Sequence, residues 1–211
     1  MYSLSEIDAQ CKKAARGAGL AWGYAEEAGK TARYLAALQL PGASLLAHYL
    51  PKYLQQPEQF QTPAALEAEA ATLATLCPIQ TAAYLCDKAS SLTQHSQRLE
   101  QVTYPLLLLP SIMMISQSLQ SAISLTWQGT QLICHQGMLW IAEQSSLDIS
   151  LAQNLEIYAL GEHETATEKG ISAAPLGQVI NEADWQVLAK LAHNTYVAAT
   201  EASRKGAGPA D

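Results

Sequence analysis

The 211-residue chain has few charged and few aromatic residues: charged side chains make up 15% of it, aromatic side chains 7%, and there is one phenylalanine. Hydrophobic residues still reach 49%, which is typical of a globular protein and not of a disordered one. The formal net charge of −7 comes without a basic stripe, which argues against a nucleic-acid-binding surface. The length fits one large domain or two small ones, and we predict a single domain over residues 1–211.

The sequence also lacks an export signal and a long apolar run. Residues 1–17 have no apolar core, and the acidic Glu6 and Asp8 fit a transit peptide poorly. The most apolar run, YPLLLLPSIMMI (104–115), is too short to span a bilayer, and we predict one or two buried strands there. The four cysteines form no CxxC pair, so we expect free buried thiols and a cytoplasmic protein that does not bind membranes.

Common catalytic motifs are missing as well. The five histidines are scattered without HxxxH or HExxH spacing, and there is no GxSxG nucleophile motif. The GAG of residues 206–208 is not followed by the Gly-Lys-Ser/Thr of a phosphate-binding loop. We therefore expect neither a metal site nor a bound cofactor.

Helical periodicity dominates the first part of the chain, about residues 1–95. Ser3 and Glu6 have the spacing of a capping box, which predicts a helix from Leu4 to the Gly17 turn. A second helix is predicted from Ala21 to Leu38, and its small residues form one stripe that lets the first helix approach closely. This stripe consists of Ala25, Gly29, Ala32 and Ala36.

Three further helices are predicted before residue 95. The segment 43–54 forms a short helix limited by Pro51. After a polar loop, Thr62 and Pro63 begin a helix over AALEAEAATLATL (64–76), and IQTAAYLCDKA (79–89) continues as another.

The pattern changes to short apolar segments and turns over about residues 100–180. Ile123, Leu125 and Trp127 alternate with polar residues, and so do Leu147, Ile149 and Leu151. Turns are predicted at Gln128-Gly129, Gln136-Gly137 and Gln153-Asn154, followed by a loop with one edge strand over 161–180. A last helix begins at Asn181 or Asp184 within the C-terminal part, 181–211. The predicted fold class is α+β: a helical region, an antiparallel β meander and a C-terminal helix.

The stretch ARGAGLAWGYAEEAGK (15–30) contains the candidate site. Gly17 and Gly19 form a turn directly before a helix, where unpaired N–H groups and Arg16 favour a carboxylate or phosphate. Glu26 and Glu27 lie near the same helix end and would compete with an anion unless they face elsewhere. The alternative is a helical hairpin without a ligand, with Glu26 and Lys30 paired on its outer face.

Two stretches, residues 4–42 and LAHNTYVAATEASRKGAG (191–208), strongly resemble a bacterial family known only as a domain of unknown function. The matching positions are Arg16, Gly17, Gly19, Trp22, Gly23, Glu26, Glu27, Gly29, Arg33, Pro41, Gly42, Tyr196, Glu201, Ser203, Arg204, Gly206 and Gly208. The resemblance implies that both stretches belong to one site. It gives these ligand-binding candidates: Arg16, Gly17, Gly19, Trp22, Arg33, Tyr196, Glu201, Ser203 and Arg204. Family members continue past the GAG into a second glycine turn and an Asp/Asn-rich tail, whereas this chain has Pro209-Ala210-Asp211 there. If that tail completes the site, we expect weak binding or none here.

A fainter resemblance links the opening and GASLLAHYLPKYL (42–54) to malate/lactate-type dehydrogenases. There a Ser-His-Gly supplies the acid, whereas here Ser44 is followed by two leucines. This resemblance therefore implies a relative that has lost the dehydrogenase chemistry.

Three functional hypotheses follow. The first is a protein that binds a small anionic metabolite or is accessory to a metabolic enzyme. The second is a cofactor-independent enzyme acting on a small carboxylate, with Glu26 or Glu27 as general base and Arg16 or Arg204 holding the substrate. The third is an obligate structural subunit, as a homo-oligomer or with a partner enzyme. In each, we expect Arg16 and the glutamates to lie near Glu201 or Arg204.

Overall fold

A computed structural model describes residues 1–64, 75–143, 147–161 and 170–196. The helices are α1 (Leu4–Gly17), α2 (Trp22–Ala37), α3 (Gly42–Gln55), α4 (Pro78–Asp87), α5 (Leu109–Leu119) and α6 (Glu182–His193). The strands are β1 (Phe60–Gln61), β2 (Thr75–Leu76), β3 (Gln97–Thr103), β4 (Ile123–Trp127), β5 (Thr130–His135), β6 (Met138–Glu143), β7 (Leu151–Ala159) and β8 (Ile171–Ser172). Three helices come first, most of the strands follow α4 and α5, and α6 comes after the last strand, so the predicted α+β class is confirmed.

The α1–α2 hairpin forms as the sequence predicts. Ser3 and Glu6 make the complete capping box at the start of α1. The stripe residues of α2 are buried, with Ala25, Ala32 and Ala36 at 0% exposure. A Cβ atom added at Gly29 would lie 2.8 Å from the Asp8 carbonyl oxygen and 2.6 Å from its Oδ1. The predicted close approach of the two helices is therefore confirmed, and it depends on the missing side chain at Gly29.

The eight strands form one sheet in the order β1-β2-β3-β7-β4-β5-β6-β8. Strands β4, β5 and β6 are the predicted antiparallel meander, and β8 is the predicted edge strand. Strand β7 lies between β3 and β4 and pairs antiparallel with both. At the other edge, the two-residue strands β1 and β2 pair in parallel with each other, and β2 pairs in parallel with β3, which the sequence did not predict.

Both predicted Gln-Gly hairpin turns are confirmed. Trp127 pairs with Thr130 and His135 pairs with Met138, so each turn has two residues. Gln136 and Gly137 both have positive φ angles, 47° and 75°. Two successive positive φ angles are the signature of the type I′ turn, whose twist matches that of antiparallel strands.

The prediction of strands over 104–115 is wrong, since the segment forms a 3₁₀ turn, Pro105–Leu108, followed by α5. Tyr104 has a left-handed conformation, with φ 43° and ψ 61°, which turns the chain out of β3. Pro110 lies in the first turn of α5, where its missing N–H costs no helical hydrogen bond. An apolar run of this length does not by its periodicity distinguish a buried strand from a buried helix.

Two smaller predictions in the first half are also wrong. Pro51 lies inside α3 and does not limit it, because Tyr53 in the next turn packs against Tyr49 and Phe60, with ring centroids 5.9 and 5.7 Å apart. Thr75 and Leu76 form β2 and not the end of a helix. Most of the helix predicted for 64–76 lies outside the described residues.

The turn predicted at Gln153-Asn154 is wrong, since β7 runs through both residues without interruption. Gln101 of the paired strand has a positive φ of 55°, and its side-chain amide donates a hydrogen bond to the Gln153 side chain opposite. The register is the same on both sides of this pair, with Glu100 opposite Asn154 and Val102 opposite Ala152. Gln153 and Asn154 are both exposed on β7. Residues 147–150 are not in a strand, although Leu147 and Ile149 pack against the core.

One hydrophobic core joins the helices to the sheet. Helix α5 packs on β4 and β5, and α6 packs on α1 and α3. The start of the chain is held by a β-bridge between Tyr2 and Gln178 and by stacking of Tyr2 on Trp185, with ring centroids 3.8 Å apart. Among the helices described, none is long and apolar enough to cross a membrane.

Candidate functional site

The Arg16 side chain bridges the turn between α1 and α2. Its Nη1 donates a 3.0 Å hydrogen bond to the Leu20 carbonyl oxygen, and its Cζ lies 5.3 Å from the centre of the Trp22 ring. Gly19 has a φ of 100°, a conformation that glycine adopts without the strain of a side chain. The guanidinium therefore fixes the turn and keeps a positive charge beside the first residue of α2.

The N-terminus of α2 has no side-chain cap within the described part of the chain. Ala21 is the N-cap residue, and the first intrahelical bond is donated by Ala25 to its carbonyl oxygen. The N–H groups of Trp22, Gly23 and Tyr24 therefore have no partner in the helix, and its first turn carries no acidic residue. Such an end has the partial positive charge that attracts anions.

The C-terminus of α6 lies against the end of α1. A Cβ atom at Gly17 would overlap the Leu191 carbonyl oxygen, and Asn194 Nδ2 donates a 3.2 Å hydrogen bond to the Gly17 carbonyl oxygen. Next along the chain, Thr195 is half-buried and Tyr196 is 63% exposed. The lack of a side chain at Gly17 thus brings two helix ends, far apart in sequence, into contact.

These three features surround a shallow cavity of about 410 Å³, which we call the hairpin cleft. The described residues lining it are Arg16, Gly17, Gly19, Trp22, Leu54, Asn194 and Thr195. Four of them are sequence candidates. Leu54, Asn194 and Thr195 were missed: Leu54 carries no motif, and the other two immediately precede the candidate Tyr196.

The remaining N-terminal candidates do not line the described cleft. Glu27 forms an ion pair with Lys30 at 2.7 Å, whereas the sequence predicted that Lys30 would pair with Glu26. Glu26 is exposed on the same helix. Arg33, near the other end of α2, lies 3.7 Å from Asp8 Oδ2. The structure does not bring these carboxylates together with Arg16 in the cleft.

The C-terminal candidates Glu201, Ser203 and Arg204 lie outside the described residues, as does the predicted cluster that joins them to Arg16. Tyr196, the last described residue, packs edge-on against His193 with ring centroids 5.3 Å apart. In the described ranges, no group of three or more His, Cys, Asp or Glu residues is placed to hold a metal ion.

A family model described as "Protein of unknown function (DUF3726)" matches residues 2–91. The match spans the α1–α2 hairpin. It does not reach the C-terminal stretch that forms the other wall of the cleft, and it gives no support to the dehydrogenase resemblance. No curated protein and no solved structure matches the chain. The chain is thus similar, over its helical part, to a family without an assigned activity.

Proposed function

We propose that the protein binds a small anionic metabolite, through its carboxylate or phosphate, in the hairpin cleft. The observation that carries this proposal is the uncapped N-terminus of α2, which begins at Trp22 in the cleft wall. Arg16 adds a full positive charge beside it, and four of its five N–H donors remain after the bond to Leu20. The described lining contains no carboxylate, although the chain carries a net charge of −7.

The exposed Trp22 ring supplies a surface for the rest of the ligand. Its side chain is 61% exposed and Leu54, also in the lining, is 44% exposed. An anion held by Arg16 and the helix end would place its attached carbon skeleton near these apolar groups. A metabolite of this kind fits the cleft better than an inorganic ion, which would make no use of them.

The test is an NMR titration of the ¹⁵N-labelled protein with inorganic phosphate and with succinate, at constant ionic strength. We expect saturable shifts of the amide signals of residues 19–24 and 194–195. Arg16→Gln should weaken binding about tenfold or more, since a charged hydrogen bond contributes roughly 1.5–3 kcal/mol. The matched control is Arg98→Gln, which removes an arginine that is 80% exposed and paired with Glu156 on the sheet.

A second pair of variants separates the backbone from the tryptophan ring. Trp22→Ala removes only the ring, whereas Trp22→Pro also removes the first N–H of α2. Proline suits this position, because Ala21 before it has an extended conformation with ψ 153°. We expect both variants to fold and Trp22→Pro to bind phosphate more weakly than Trp22→Ala. Equal affinities, together with wild-type affinity in Arg16→Gln, would refute the proposal.

Exposed hydrophobic residues in the cleft and directly beyond Thr195 favour a second function, the docking of a partner enzyme. Trp22, Leu54 and Tyr196 are among the exposed large hydrophobic residues of the described chain. Tryptophan, tyrosine and arginine are the residues most enriched in the binding hot spots of protein interfaces. With an identified, purified partner, Trp22→Ala and Tyr196→Ala should each weaken the complex at least tenfold. Met114→Ala, which changes a residue 60% exposed on α5, should leave it unchanged.

A further inference from the structure

A second cavity, about 470 Å³ in volume, lies at the opposite end of the α1–α2 hairpin. Leu4 at the start of α1 and Tyr34 and Ala37 at the end of α2 contribute to it. Pro175 and its neighbours form the facing wall, and the Ala174 N–H holds them in place through a 2.9 Å hydrogen bond to the Ala37 carbonyl oxygen. We call this cavity the Leu4 groove. Its volume is within the range of sites that hold small molecules.

The Leu4 groove combines apolar walls with two positive charges. Its apolar lining includes Leu4, Tyr34, Ala37 and Pro175, and Lys30 and Arg33 contribute the charges. Both cations already face carboxylates, Lys30 at 2.7 Å from Glu27 and Arg33 at 3.7 Å from Asp8. The Lys30–Glu27 pair is solvent-exposed, and such pairs contribute only about 0–1 kcal/mol. In the other pair Arg33 is 55% exposed and Asp8 is 24% exposed. A ligand carboxylate can share Lys30 and Arg33 with Glu27 and Asp8, because an ammonium group has three N–H donors and a guanidinium group has five.

We propose that the Leu4 groove binds an apolar carboxylate, a medium-chain or aromatic acid, with its carboxylate on Lys30 and Arg33. The apolar body would lie against Leu4, Tyr34 and Pro175, where it removes apolar surface from water. Charged hydrogen bonds from Lys30 and Arg33 select the acid over the matching alcohol, and the apolar walls select it over a short acid. None of the hairpin-cleft residues takes part, so this site is independent of the function proposed above.

The probe for this site is octanoate, compared with 1-octanol and butyrate by NMR titration of the full chain. We expect saturable octanoate binding, with shifts centred on residues 30–37 and 173–175, and at least fivefold weaker binding of the two comparison compounds. Arg33→Gln should weaken octanoate binding about fivefold, the upper value for one exposed ion pair. Ala173→Leu, which fills the groove from its exposed wall, should weaken it at least tenfold.

Two controls keep the result interpretable. Arg98→Gln and Ala142→Leu make the same changes at exposed positions outside the described groove lining, and neither should alter octanoate affinity. Lack of saturable octanoate binding below about 10 mM would overturn the proposal, as would equal affinities for octanoate and octanol. A concentration-dependent dimer that protects residues 173–175 would also overturn it, because the groove would then be covered by a second copy of the chain.

Discussion

The close contact at Gly29 gives a sharp test of how α1 and α2 pack. An alanine at position 29 would place its Cβ 2.8 Å from the Asp8 carbonyl oxygen and 3.0 Å from the Lys12 Cβ. Neither atom is the end of a flexible side chain, so α1 has to move away. Overpacking of this kind costs about 1–3 kcal/mol, whereas replacing a helical glycine by alanine gains about 1 kcal/mol. We expect Gly29→Ala to destabilise the protein by about 1 kcal/mol, and Gly29→Leu to do so by more.

Gly23 is the matched control, since it lies in the same helix and a Cβ added there would meet no atom within 4 Å. Gly23→Ala should therefore stabilise the protein by up to about 1 kcal/mol. Thermal and urea unfolding would measure both variants, and 1 kcal/mol corresponds to about 2–4 °C in Tm for a chain of this size. A Gly29→Ala variant that is stabilised as much as Gly23→Ala would refute the close-approach argument.

Three further predictions concern a thiol, a helix cap and a carboxylate. Burial raises the pKa of Cys134 to about 12, whereas Cys86 is only half-buried. A thiol reagent at mildly alkaline pH should therefore label Cys86 first, as measured by mass spectrometry. Faster labelling of Cys134 would contradict this. Asn181→Ala removes the 2.9 Å hydrogen bond that the Asn181 side chain accepts from the Ala183 N–H, and it should lower the free energy of unfolding in urea by about 0.5–2 kcal/mol. The control is Asn181→Ser, which keeps a capping oxygen and should leave the free energy of unfolding nearly unchanged. Hydrogen bonds from Ser3 lower the pKa of Glu6, so the ionised carboxylate stabilises the fold above its usual pKa of 4.5, and this stabilisation is lost as the pH falls below that value. The difference in Tm between wild type and Glu6→Gln should therefore shrink between about pH 5 and pH 3. A difference that stays constant over this range would contradict the prediction.

Features determined by a few neighbouring residues could be predicted from the sequence. The capping box at Ser3, the turn at Gln136-Gly137 and the helix start at Asn181 each depend on residues at most three positions apart. The small-residue stripe of α2 was also predictable, because the close approach to α1 is the main benefit that offsets the helix-propensity cost of Gly29.

Features that depend on distant partners could not be predicted. Strand β7 runs through Gln153-Asn154 because β3 and β4 bind it on both sides, and that pairing overrides a local turn signal. The helix α5 replaces the predicted strands because its apolar face, with Ile112, Met113 and Ile115, is buried between the sheet and the other helices. The same holds for the hairpin cleft: Arg16, Gly19 and Trp22 are neighbours in sequence, whereas Leu54 and Asn194 reach the cleft only through packing of α3 and α6.

The position of β7 in the sheet has a consequence for synthesis on the ribosome. Strands β3 and β4 are not hydrogen-bonded to each other, because β7 lies between them in the sheet. Strand β7 ends at Ala159, about thirty residues after the end of β4. The α1–α2 hairpin consists of contacts close in sequence and can form as it emerges from the ribosome. The edges of β3 and β4 that bind β7 stay unpaired until β7 has been synthesised. During that interval the apolar helix α5 has no finished sheet to cover it. We therefore expect slowed translation between β4 and β7 to increase aggregation of the nascent chain, and slowed translation after Ala159 to have little effect.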